Sequence, residues 1–124
     1  MAKSPIDVYQ SVQKDALEGR ALEAFVLNKA ATVLKECQDQ WDEPGQFQRL
    51  DDALRYNQRL WTFFQVELTE VDCQLPKELR QDLLNLSVFV DKRTFDILSY
   101  PEKEKLDILI SINRNIADGL SGRV

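Results

Sequence analysis

From Phe47 to Leu68 the side chains Phe47, Leu50, Leu54, Asn57, Trp61, Phe64 and Leu68 follow one another in steps of three and four. That is the period of one face of an α-helix and not the alternation of a strand. A second row, Ala53, Tyr56, Leu60 and Phe63, runs beside the first. Together they leave only a narrow polar strip of Arg49, Asp52, Arg55, Arg59 and Thr62. A helix with so wide an apolar face needs neighbours on more than one side. The stretch therefore reads as the central helix of a bundle, and the other segments as its packing partners.

Those partners are visible on either side of it. Ser4 before Pro5 is a helix start, because the Ser oxygen accepts from free N–H groups and Pro at the first helical position loses no bond. Ile6, Tyr9, Val12 and Ala16 then keep helical spacing, and the pattern weakens at Glu18 and Gly19, where a bend or break is expected. It resumes as Leu22, Phe25, Val26, Ala30, Val33, Leu34, Cys37 and Trp41, and Pro44-Gly45 marks the following turn. Beyond the central stretch, Pro76 and Glu78 open a helix whose predicted buried face is Leu79, Leu83, Leu86, Val90, Thr94 and Ile97. Leu84, Val88, Phe89, Phe95 and Leu98 widen that face. Ser87–Val90 contains strand formers but sits inside a long helical period and is read as helix. Ser99 to Glu102 repeats the start signal, and Leu106, Leu109, Asn113, Ile116 and Leu120 form the last seam, flanked by Ile108, Ile110 and Ile112, with Gly119 and Gly122 as the stop. The expected fold is all-α, an antiparallel bundle of four main helices with a short N-terminal helix. Residues 1–124 are taken as a single domain.

The absence of histidine removes more chemistry than any other fact in the chain. It takes away Ser-His triads, His-ligated metal sites and the Glu-x-x-His pairs of di-metal bundles. Cys37 and Cys73 stand alone on different segments and match no metal or redox spacing. No Gly-rich phosphate loop is present. We expect no catalytic residue, no cofactor and no metal, and a protein that is not an enzyme. With 16 Lys and Arg against 21 Asp and Glu, the net charge is −5. That balance disfavours direct binding of nucleic acid or of an anionic membrane, which rests on clustered cations. Met1 to Lys14 lacks the apolar core of a signal peptide and nothing later approaches a membrane span, so a cytoplasmic location is expected.

Several side chains stand out against this background. Asn57 and Asn113 are polar residues in apolar seams, where an amide must be hydrogen-bonded; they are read as structural, bonded to each other or to a broken backbone segment. Trp61, mid-helix, is read as core. Trp41 beside its turn, and Tyr9 and Val12 on the N-terminal segment, are the candidates for contact with a partner.

Four blocks carry a resemblance. Tyr56-Asn57-Gln58-Arg59-Leu60-Trp61-Thr62, Leu75-Pro76-Lys77-Glu78-Leu79-Arg80, Phe89-Val90-Asp91-Lys92-Arg93-Thr94 and the run from Leu109 to Leu120 occur in an order and spacing that resembles the flagellar biosynthesis regulator FlaF family. The resemblance implies an alphaproteobacterial, cytoplasmic, non-enzymatic protein that binds flagellin and promotes its synthesis or export, opposite a repressing partner named FlbT. It also implies a mode of action. Flagellin termini are amphipathic segments that stay disordered before assembly, and a helical bundle with a surface groove takes the apolar face of such a segment. The alternative function is post-transcriptional, on flagellin messenger RNA directly or together with FlbT.

Overall fold

The computed structural model describes the backbone of residues 4–122 and the side chains of residues 4–7 and 19–122. Four helices account for most of it: α1 (Pro5–Asp39), α2 (Gln46–Thr69), α3 (Lys77–Ser99) and α4 (Leu106–Leu120), with a 3-10 turn at Lys103–Lys105 leading into α4. There is no strand among the described residues, and the architecture is an all-α antiparallel bundle. Short connections reverse the chain each time. Gln38 near the end of α1 donates to Asp107 at the start of α4 (2.6 Å), and Gln65 late in α2 donates to Ser87 early in α3 (3.0 Å). α2 and α4, both antiparallel to α1, run in the same direction.

The N-terminal segment is helical and joins the second segment without the break expected at Gly19. One Gly inside a helix costs only about 1 kcal/mol, which the hydrogen bonds of a 35-residue helix absorb. Its start is as expected: the Asp7 amide donates to Ser4 Oγ at 3.2 Å, with Pro5 in the first turn. At its other end the chain turns through Gly45, whose φ of 84° favours glycine. Arg49 then reaches back from α2 to hold the turn, donating to the carbonyls of Pro44 (2.6 Å), Gln40 (2.9 Å) and Glu43 (2.9 Å). One guanidinium thus satisfies three acceptors that the end of α1 leaves free.

α1 and α4 lie closest together, with Ala24, Ala31 and Ala117 buried among their larger neighbours. Small side chains at a helix contact shorten the distance between axes. Ala30, Leu34 and Cys37 of the predicted face of α1 are buried, but towards its N-terminal half the face is turned. Ala24, Leu27, Ala31 and Leu34 are core, whereas Leu22 and Phe25 are exposed, Phe25 by 64%. α2 sits between α1 and α3 and reaches α4 through Asn57 and Trp61. Its first apolar row is inside except Phe47, and its second is covered only in part, with Phe63 57% exposed.

α3 differs most from expectation. It packs mainly on α2 and barely meets α4, so only one narrow face is covered: Ser87, Val90, Thr94 and Ile97. Leu79, Val88, Phe89, Phe95 and Leu98 face outward, Phe95 by 73%, and Leu83, Leu84 and Leu86 are half-buried. The two buried hydroxyls on this face are satisfied within the helix, Ser87 Oγ donating to Leu84 O (2.6 Å) and Thr94 Oγ1 to Val90 O (2.7 Å). In α4, Leu106, Leu109, Ile110, Ile112, Asn113 and Ala117 are inside, Ile116 and Leu120 are half-buried, and the helix ends one residue beyond Gly119. Cys37 is buried and Cys73 half-buried, and both are free thiols. Burial raises the Cys37 pKa above its ordinary 9.0 against the smaller opposing effect of Arg49, which keeps it protonated at neutral pH.

Candidate functional site

The polar centre of the bundle is a chain of three side chains. Trp61 Nε1 donates to Asn113 Oδ1 (2.9 Å), and Asn113 Nδ2 donates to Asn57 Oδ1 (2.7 Å). All three are within 1% of full burial. The two asparagines meet each other and fix the level of α4 against α2, and the indole completes the network. Asn57 Nδ2 is buried without a partner.

From that level both helices run towards the same end of the bundle. α2 continues to Thr69 but α4 stops at Leu120, which at 1.5 Å per residue, counted from midway between Asn57 and Trp61, is about 5 Å sooner. The core therefore stays open there. A cavity of about 460 Å³ lies between the Gly19–Glu23 stretch of α1, the last turns of α2, the loop after it and the end of α4. Trp61, Phe64 and Leu68 of α2, Leu83 of α3, and Ile116 and Leu120 of α4 supply its apolar lining. Phe64 meets Trp61 edge to face with centroids 5.8 Å apart, and its other neighbour is the exposed ring of Phe63 at 6.2 Å. The apolar surface thus continues from the cavity to the outside of α2.

The rim is acidic. Among the described residues Glu23, Glu67, Glu70 and Asp72 stand around the opening, with Arg20 as the one cation lining it. Glu23 is held above its ordinary 4.5, first by burial and then by the Glu67 carboxylate within hydrogen-bonding reach, against the opposing pull of Arg20. The folded chain keeps this proton to higher pH than the unfolded chain does. The linked stabilisation is thus complete below about pH 4.5 and is lost as pH rises through the raised value. Glu23→Gln is accordingly expected to raise the melting temperature at pH 7 and to leave it nearly unchanged near pH 4, and thermal melts of both proteins across that range check it.

The residues singled out for partner contact do not gather at this cavity. Trp41 is half-buried against the core at the α1–α2 turn, at the opposite end of α2. The side chains of Tyr9 and Val12 lie outside the described residues. Sequence reasoning missed the cavity because its lining residues read as ordinary core. The available signal was length, since the fourth apolar seam ends about one turn too early to cover α2. Among the described residues no three His, Cys, Asp or Glu side chains group as a metal site, and no helix is long and apolar enough to cross a membrane.

Fold and cavity together define a small helical bundle with an apolar, acid-rimmed opening at one end. The family model described as flagellar protein FlaF matches residues 5–120, and the chain belongs to that family. It is thereby a flagellar-related regulatory protein. No curated protein and no solved structure matches it.

Proposed function

We propose that this protein binds unassembled flagellin and promotes its synthesis or export, acting in the cytoplasm by binding and not by catalysis. Membership in the FlaF family supplies the flagellar context. The observation that carries the mechanism is the open apolar cavity between α1, α2 and α4. Flagellin termini before assembly are amphipathic, and an apolar side chain from such a segment gains by leaving water for the Trp61, Phe64 and Leu68 surface. The exposed Phe63 extends the contact beyond the cavity mouth. Covering the apolar face keeps flagellin from aggregating and ties the supply of free subunits to their production. FlbT is the second protein partner in this reading, and messenger RNA is not touched directly, in keeping with the net charge of −5.

Calorimetric titration of the purified protein with full-length flagellin, and with flagellin lacking either terminus, tests the reading. A complex at micromolar concentration that needs one terminus is expected, with little dependence on salt. Leu75→Asp, which places a charge in the loop wall of the cavity, is expected to weaken it by about tenfold or more through burial of an unpaired carboxylate. Absence of a complex, indifference to both termini, or binding of flagellin messenger RNA that falls steeply with salt would contradict it.

A further inference from the structure

We propose that the cavity selects a bulky apolar side chain carried within one helical turn of a lysine or arginine, the apolar group seating on Trp61, Phe64 and Leu68 and the cation standing between Glu23 and Glu67. The inference rests on the preceding reading for the identity of the partner, but its charge preference is separately testable. Two features of the opening support it. Among the described residues four carboxylates face one cation around an apolar floor, so a neutral or acidic segment entering the cavity leaves that charge uncompensated or increases it. Glu23 and Glu67 line the opening from α1 and α2 within hydrogen-bonding reach of each other, and Arg20 only partly offsets their crowding. A cation from a partner relieves this repulsion and favours the ionised form of both carboxylates. Trp61, Phe64, Leu68, Ile116 and Leu120 around the pair carry no charge, and among the described residues Glu70, Asp72 and Arg20 are the other charged groups at the opening.

Three synthetic amphipathic helical peptides of about four turns provide the test. They share one leucine face and differ only in whether lysine, glutamine or glutamate flanks the central leucine. Fluorescence titration at low salt is expected to show the lysine peptide binding about tenfold more tightly than the glutamate peptide, the difference between an attractive and a repulsive pair at a half-exposed rim. In the Glu23→Gln/Glu67→Gln protein that ratio is expected to fall towards one, while the glutamine peptide binds both proteins alike. Thermal melts confirm that the variant is folded. Equal binding of lysine and glutamate peptides by the unchanged protein overturns the proposal, as does a ratio that survives the double substitution or a lack of binding by any peptide. Flagellin titrated alongside separates the two ideas. A complex with flagellin but no charge preference among the peptides leaves the flagellin reading standing and removes this one, and the reverse pattern removes the flagellin reading alone.

Discussion

Trp61→Ala is expected to cost about 3–5 kcal/mol of folding free energy, the range for truncating a large buried aromatic. The ring is 1% exposed in the centre of α2 and packs edge to face on Phe64. Its removal opens a void between α2 and α4 and takes away the indole N–H that satisfies Asn113 Oδ1. Both effects act in the same direction. Against a typical total stability of about 5–15 kcal/mol for a small domain, this is about a fifth of the fold or more. Urea unfolding followed by circular dichroism measures it. Trp61→Phe, which keeps most of the packing and loses the N–H, is expected to cost about 1–3 kcal/mol. An unchanged midpoint in Trp61→Ala would mean that the residue is not core.

The second large effect is in the asparagine pair, where the two single substitutions are expected to differ. Asn113→Ala leaves two buried groups without partners, Asn57 Oδ1 and Trp61 Nε1, and is expected to cost on the order of 3 kcal/mol. Asn57→Ala leaves only Asn113 Nδ2 unpaired and also removes Asn57 Nδ2, which has no partner to lose. A cost of about 1–2 kcal/mol is expected. The double variant is expected to be more stable than the sum of the singles by about 1 kcal/mol, because Asn57 Oδ1 and Asn113 Nδ2 disappear together while Trp61 Nε1 is unpaired in both Asn113→Ala and the double variant. Denaturation of the four proteins of the cycle checks this. Strict additivity would mean that the Asn113–Asn57 bond contributes nothing.

These residues also show how far the sequence carried. Asn57, Trp61 and Asn113 could be placed in one core because each falls in a seam of regular period, whereas the central place expected for α2 is shared with α1, which packs on both α2 and α4. The start at Ser4-Pro5 was readable for a local reason, a capping oxygen next to a missing N–H. The buried face of α1 was legible at Ala30, Leu34 and Cys37 and missed at Ala24, Leu27 and Ala31, because the large Leu22 and Phe25 draw the stripe to one side. Only the close approach to α4 makes alanine the better core residue, and that approach is a tertiary fact. α3 failed for a related reason. Its pattern does not say that one neighbour covers it instead of two, so Val88 and Phe95 read as core and stand in water. The cavity lay furthest from view, since it arises from where helices end relative to one another and not from any residue's type.

The proposed docking of flagellin at the open end of the bundle is a claim that hydrogen exchange of this protein with and without flagellin can test. The claim predicts slowed exchange in the last turns of α2, in residues 70–76 and in the Gly19–Glu23 stretch of α1, with the Trp41 turn and the outer face of α3 unchanged. Slowing centred on Val88 and Phe95, or on the Trp41 turn, with none around the cavity would contradict it.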